Sequence, residues 1–140
     1  MAGDPSLALL GAIRAALLAD AGVAGYVDAR VYEDVPRRPV FPYLTIRDGG
    51  SLPDDGQAYT AEEIGVEIHI WSRHPNRTST ECRLIGAAVV ALLDEADLIL
   101  PSPFALSRIV RRGRRVLRDR DSITWHGIVS FEAGVETMEI

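Results

Sequence analysis

Arg108-Ile109-Val110-Arg111-Arg112-Gly113-Arg114-Arg115-Val116-Leu117-Arg118-Asp119 is the stretch on which the fold of this chain turns. Its apolar residues, Ile109, Val110, Val116 and Leu117, fit one stripe of a helix about as well as they fit a strand interrupted by a bulge at Gly113. Three neighbours favour the strand: the glycine in mid-run, the polar turn from Asp119 to Ser122, and the β-rich run from Ile123 to Val135. Together they describe a hairpin.

Working outward, the cleanest strand runs from Glu62 to Ser72. Ile64, Val66, Ile68 and Ile70 alternate with Glu63, Gly65, Glu67, His69 and Trp71, so one face is core. Thr78 and Glu81 have the spacing of a capping box, and Leu84, Ile85, Ala88, Val89, Leu92 and Leu93 form the stripe of a helix ending near Asp94. At the other end of the chain, Asp4 and Pro5 start a helix that runs to about Asp20, with Leu7, Leu10, Ile13 or Arg14, Leu17 and Leu18 on its apolar face and Gly22 as its stop. A short turn from Val23 to Val27 follows. Arg30 to Glu33 and Tyr43 to Arg47 read as short strands, joined by a connection that Pro36, Pro39 and Pro42 keep out of any ladder. Asp48 to Thr60 has turn chemistry and no apolar period, which predicts an exposed acidic loop free to bind. The expected order is α-β-β-β-α-β-β: a single α+β domain spanning residues 1–140, with a mostly antiparallel sheet and two helices on one face.

A chain of 140 residues with 47% hydrophobic and 25% charged residues buries a real core without staples. Cys82 is the only cysteine, which excludes an internal disulfide and gives no reason to expect an oxidising compartment. The apolar N-terminal run is broken by Arg14 and Asp20, so neither a signal peptide nor a membrane span is expected. Every cation is arginine.

Charge is unevenly spread. Arg108, Arg111, Arg112, Arg114, Arg115, Arg118 and Arg120 face one acid, Asp119, within a chain of net charge −5. A basic element on an acidic body favours contact with copies of itself, or with something anionic held in one orientation.

No catalytic or cofactor signature stands out. His69, His74 and His126 lack metal-ligand spacing, and the first and last of these lie in strands, where a satisfied, partly buried histidine is the usual outcome. Cys82 falls in the first turn of a helix, where the dipole favours a thiolate, yet no His-Asp arrangement accompanies it and a small apolar packing role is the simpler reading. Gly49-Gly50 lacks the lysine and setting of a phosphate loop. The Arg108 to Arg120 element, with Trp125 nearby, is also the only feature suited to a small nucleic-acid-binding module, against which stands the acidic balance of the whole. The commoner fate of such arginines is pairing with carboxylates across a subunit interface or facing solvent, and Asp48, Asp54 and Asp55 supply a candidate complement on a neighbour.

Taken in order, Arg30-Val-Tyr-Glu-Asp-Val-Pro36, Pro42-Tyr-Leu-Thr-Ile46, Val66-Glu-Ile-His-Ile-Trp-Ser-Arg73, the helix from Leu84 to Asp94 and Thr124-Trp-His-Gly-Ile-Val-Ser-Phe-Glu132 resemble the tail-terminator or tail-completion family of long-tailed bacteriophages and gene transfer agents. The resemblance implies a structural, non-enzymatic virion protein of the tail and neck, assembled in the cytoplasm of a bacterial host. It implies a hexameric ring on the head-proximal end of the tail tube, touching the major tail tube protein and the head-completion connector, with DNA passing through the hole. Within that role Arg108, Arg111, Arg112, Arg114, Arg115 and Arg118 are expected at a subunit or neighbour interface, since a strongly basic channel wall would grip the DNA that must slide past.

Overall fold

The computed structural model describes residues 3–55 and 60–138 and shows three helices and a five-stranded mixed sheet. In chain order these are α1 (Pro5–Ala19), α2 (Ala21–Val27), β1 (Val31–Tyr32), β2 (Tyr43–Pro53), β3 (Thr60–Ser72), α3 (Thr80–Leu93), β4 (Phe104–Arg118) and β5 (Trp125–Thr137). The sheet order is β1-β2-β3-β5-β4; β1 runs parallel to β2 and every other pairing is antiparallel. The α+β class and the order of strands and long helices read from the sequence hold.

The helices cover one face of the sheet, and the core lies between. Leu9, Ile13 and Leu17 of α1, Val23 and Val27 of α2, and Cys82, Ile85, Val89 and Leu93 of α3 meet Leu44, Ile64, Val66, Ile68, Ile70, Ile109, Val129 and Phe131 from the strands. Burying each such side chain contributes roughly 1.5–3 kcal/mol relative to leaving it exposed. The alternation of β3 appears as expected, with Ile64, Val66, Ile68 and Ile70 all inward.

Several local expectations are corrected. The α1 stripe is Leu9, Ile13 and Leu17, at strict four-residue spacing, while Leu7 is 71% exposed and Arg14 lies in solvent. The stretch expected as a turn after Gly22 is α2, because Asp20 ends α1 and starts the next helix, its carboxylate accepting the Val23 N–H at 3.0 Å. The capping box does not form: Ser79 occupies the cap position, and Glu81 instead accepts a hydrogen bond from Ser72 Oγ at 2.7 Å, tying α3 to the end of β3. Leu84, expected in the buried stripe of α3, is 49% exposed, and Cys82 and Gly86 take the inward positions.

The largest correction falls on the expected acidic loop. Residues 48–53 continue β2, pairing Ser51, Leu52 and Pro53 with Ile64, Glu63 and Glu62. Gly49 and Gly50 together oppose Gly65, a bulge that works because a Cβ at Gly49 would sit 3.3 Å from the Gly65 backbone and because Gly50 takes φ 94°. The remainder of that stretch begins at Asp54, and residues 56–59 lie outside the described residues.

Candidate interaction surface on the sheet edges

The stretch that decides the fold is the edge strand. β4 pairs with β5 along its whole length, so its other side is the border of the sheet. Two residues interrupt the pairing: Ser107, between Leu106↔Val135 and Arg108↔Gly134, and Arg112, between Arg111↔Phe131 and Gly113↔Ser130. The expected bulge is therefore present, with the extra residue one place before Gly113. Asp121 shapes the turn that closes the hairpin, accepting hydrogen bonds from the Thr124 hydroxyl and from the Ile123 and Thr124 N–H groups, which hold its carboxyl down to about 2.

The hairpin divides the arginines between two surfaces. Register places Arg111, Arg114 and Arg118 on the helix side, in line with inward Phe131, Val129 and Trp125. Arg114 donates to the Arg83 carbonyl of α3 beside Gly86, and Arg118 lies over the Trp125 ring at 5.0 Å. Arg108, Arg112 and Arg115 stand on the opposite, open face. There Arg108 pairs with Glu63 and lies 3.6 Å from Glu132, and Arg112 Nε reaches Glu132 Oε2 at 2.8 Å. The Glu63 carboxyl is raised above its ordinary value by its hydrogen bond with Glu132, and that bond together with Arg112 lowers Glu132. The side chains of Arg111 and Arg115 have no hydrogen-bond or ion-pair partner among the described residues.

The acids occupy the other border. Asp48 lies at the β2 bulge, its carboxylate accepting the Gly50 N–H at 2.7 Å, and Asp55 accepts the Ala61 N–H at 2.9 Å. Each of these two holds backbone with one oxygen and keeps another. Asp48 and Arg111 lie in the same row of the sheet, through Val66 and Phe131, three strand spacings apart, or roughly 14 Å. Thus one subunit does not bring its Asp48, Asp54 and Asp55 to its own basic strand; it displays the two sets on opposite borders.

The open face carries a cluster that sequence spacing does not reveal. His69 Nδ1 lies 2.7 Å from His126 Nε2, and His69 Nε2 lies 2.9 Å from Glu67 Oε1. With Glu67 ionised, His69 donates to it through Nε2–H and accepts from His126 through Nδ1. Trp71 stacks on His126 at 3.8 Å and donates its indole N–H to Thr45. Burial first, and then the neighbouring His69, lower His126 to about 4, so it is neutral at pH 7. Beside this stack, Arg37, Arg38, Phe41, Tyr43, Trp71 and Arg73 line a concavity of about 520 Å3. These residues come from two connections and two strands, united by the pairing Tyr43↔Trp71 and by the Arg73 guanidinium lying over the Phe41 ring at 4.3 Å.

Among the described residues no three His, Cys, Asp or Glu side chains are placed to share a metal ion. Cys82 is buried against Gly127, and burial pushes its thiol up to about 11, which counters any activation by the helix terminus. Among the described residues no single helix is long and apolar enough to cross a membrane.

The family model described as tail completion protein gp17 matches residues 11–136. A chain in the solved virion of a native gene transfer agent particle superposes with a TM-score of 0.86 over 96% of this chain and 99% of its own, at 22% sequence identity, a likeness of fold. No curated protein is similar enough in sequence to count as a match.

Proposed function

Because the chain belongs to the tail completion protein gp17 family, we propose that it is a non-enzymatic structural subunit of a hexameric ring that closes the head-proximal end of a tail tube. In this reading the ring stops tube polymerisation, offers a docking face to the head-completion connector, and lets DNA pass through its centre. It belongs to the virion tail and neck, and assembles in the cytoplasm of the bacterial host.

The observation that carries the reading is the placement of opposite charge on opposite borders of one sheet. A closed ring with one kind of subunit needs two different, mutually complementary side surfaces related by a rotation. A basic border on β4 and an acidic border on β2 meet that need, and electrostatic complementarity fixes register and suppresses wrong contacts. Arg111 and Arg115 are the interface arginines with free side chains, Arg114 and Arg118 are held ready by α3 and Trp125, and Arg108 and Arg112 set the local surface through Glu63 and Glu132. Asp48, Asp54 and Asp55 are their complement on the next subunit.

The split of the arginines over two faces disfavours the nucleic-acid-binding alternative, which needs a continuous basic track along a phosphate backbone. Electron microscopy of particles from cells lacking the gene tests the proposal. Tails of uncontrolled length without heads are expected; tails of normal length joined to heads would refute it. Steep, salt-sensitive retardation of duplex DNA by the isolated chain would favour the alternative.

A further inference from the structure

We propose that neighbouring copies join by backbone strand pairing, the outer edge of β4 in one copy adding to the outer edge of β2 in the next. This rests on the ring reading and specifies how the ring is made. An unpaired strand edge is a template for another strand, and proteins that do not use one cover it or keep it short. In this chain part of each edge is covered and part is left open.

On β4, the Glu95 N–H donates to the Ile109 carbonyl at 2.8 Å and the Arg111 N–H donates to Asp94 Oδ1 at 2.9 Å, so the segment after α3 caps the edge at that height. Beyond Arg112 the pairing alternates from Asp119 N–H to the Thr124 carbonyl at 2.8 Å, which turns the backbone groups of Arg114, Val116 and Arg118 outward. Among the described residues those groups have no backbone partner.

On β2, β1 covers only Leu44 and Thr45. The alternation set by Asp54 N–H to the Ala61 carbonyl, and by Leu44 N–H to the Arg30 carbonyl, turns Ile46, Asp48 and Ser51 outward. Along this edge a groove of about 220 Å3 between α1 and β2 is lined by Leu7, Leu10, Arg14, Glu33, Ile46 and Asp48. Apolar side chains and two acids stand there side by side, with Arg14 as the one cation in the lining.

Direction and facing agree. Three successive antiparallel pairings make β4 antiparallel to β2, so repeating the sheet head to tail sets β4 of one copy antiparallel to β2 of the next with the helix layers on the same side. Val116, the helix-side residue between Arg114 and Arg118, then meets the apolar part of the groove, and the arginines flanking it meet Glu33 and Asp48. The open part of β4 lies near the hairpin turn and the open part of β2 lies toward the opposite end, so pairing requires a stagger. Strands closed around an axis are staggered and tilted for the same geometric reason.

Cysteine crosslinking in assembled particles tests the pairing. Val116→Cys is combined in one chain with Ile46→Cys, Asp48→Cys or Ser51→Cys, leaving the buried Cys82 in place, and purified particles are oxidised and run without reductant. At one of the three registers most of the monomer band is expected to shift into a ladder of multimers, which neither single variant forms. Particles that retain a ring at the tail end yet crosslink at no register would overturn edge pairing, leaving the arginines as guards against sheet aggregation. Particles with intact head joints and no ring would overturn the ring reading beneath it. Val116→Pro, which removes one outward N–H, is expected to abolish head attachment with the monomer folded by circular dichroism, while Val116→Ala, which keeps the N–H, retains it. Normal attachment in Val116→Pro would also overturn the pairing.

Discussion

The two halves of β4 belong to one strand and do different things. Before the bulge at Arg112, Phe104 and Ile109 are buried and the outer edge is capped by the segment after α3. After it, Arg114, Arg115, Leu117 and Arg118 are exposed and the edge is open. The first half contributes to folding, and the second is available to a neighbour. The difference teaches that a run of arginines on a strand is informative through its position relative to the core, since the same residue type on the capped half would mean something else.

The sharpest way to break this contrast is to mutate both halves. Ile109→Ala is expected to lower stability by about 2–5 kcal/mol in urea unfolding, because a fully buried side chain leaves a cavity. Arg115→Glu, on the open half, is expected to leave stability within about 0.5 kcal/mol, yet to abolish head joining in particles. Equal unfolding midpoints for the two variants would erase the distinction. Arg112→Glu is a poorer probe, because its pairing with Glu132 confounds interface with local structure.

Glycines sharpen it further. A Cβ at Gly127 would lie 2.9 Å from Cys82 Sγ and 3.3 Å from Ile70, so Gly127→Ala is expected to cost about 1–3 kcal/mol by overpacking. At Gly113, on the open half, a Cβ meets nothing within 4 Å, and Gly113→Ala is expected to change stability by less than about 0.5 kcal/mol. Thermal melts of the two variants check both values.

A pH-dependent effect concerns His126, the register partner of Leu117. Its pKa is about 4 in the fold against 6.5 for the ordinary value, so between those limits the unfolded chain binds the proton and the native chain does not. Stability therefore rises with pH across this window, and its His126 contribution is lost as pH falls from about 6.5 to about 4. His126→Phe is expected to flatten that part of the profile. An unchanged slope would show that the stack with Trp71 and His69 does not hold the imidazole neutral.

Most of the fold was legible where one physical signal acted alone. β3 is central and half-buried along its length, so alternation read it correctly. The hairpin was legible because glycine, turn and β-rich partner agreed. Expectations failed where signals overlapped: α1 is apolar on several faces, so Leu9 lay hidden among its leucines; Asp20 serves two helices at once; and Glu81 took a partner from β3 in place of its own cap. The acidic stretch read as a loop because glycine and proline are turn residues, while its strand character comes from Gly65 across the ladder, a partner no local window contains. The candidate surface was half legible. Charge named its residues, but the division of the arginines between two faces and the distance of the acids from them depend on register.

One inserted residue governs that division. From Arg108 to Arg111 the odd-numbered positions of β4 turn toward the helices; past Arg112 the even-numbered ones do. Deleting Gly113 would let Arg112 take its place opposite Ser130 and leave Arg114, Arg115 and Val116 facing as they do, so the extra residue is what sets three places, in place of two, between the helix-side cations Arg111 and Arg114. A relative without this insertion would carry those two cations at plain strand alternation to present the same coat.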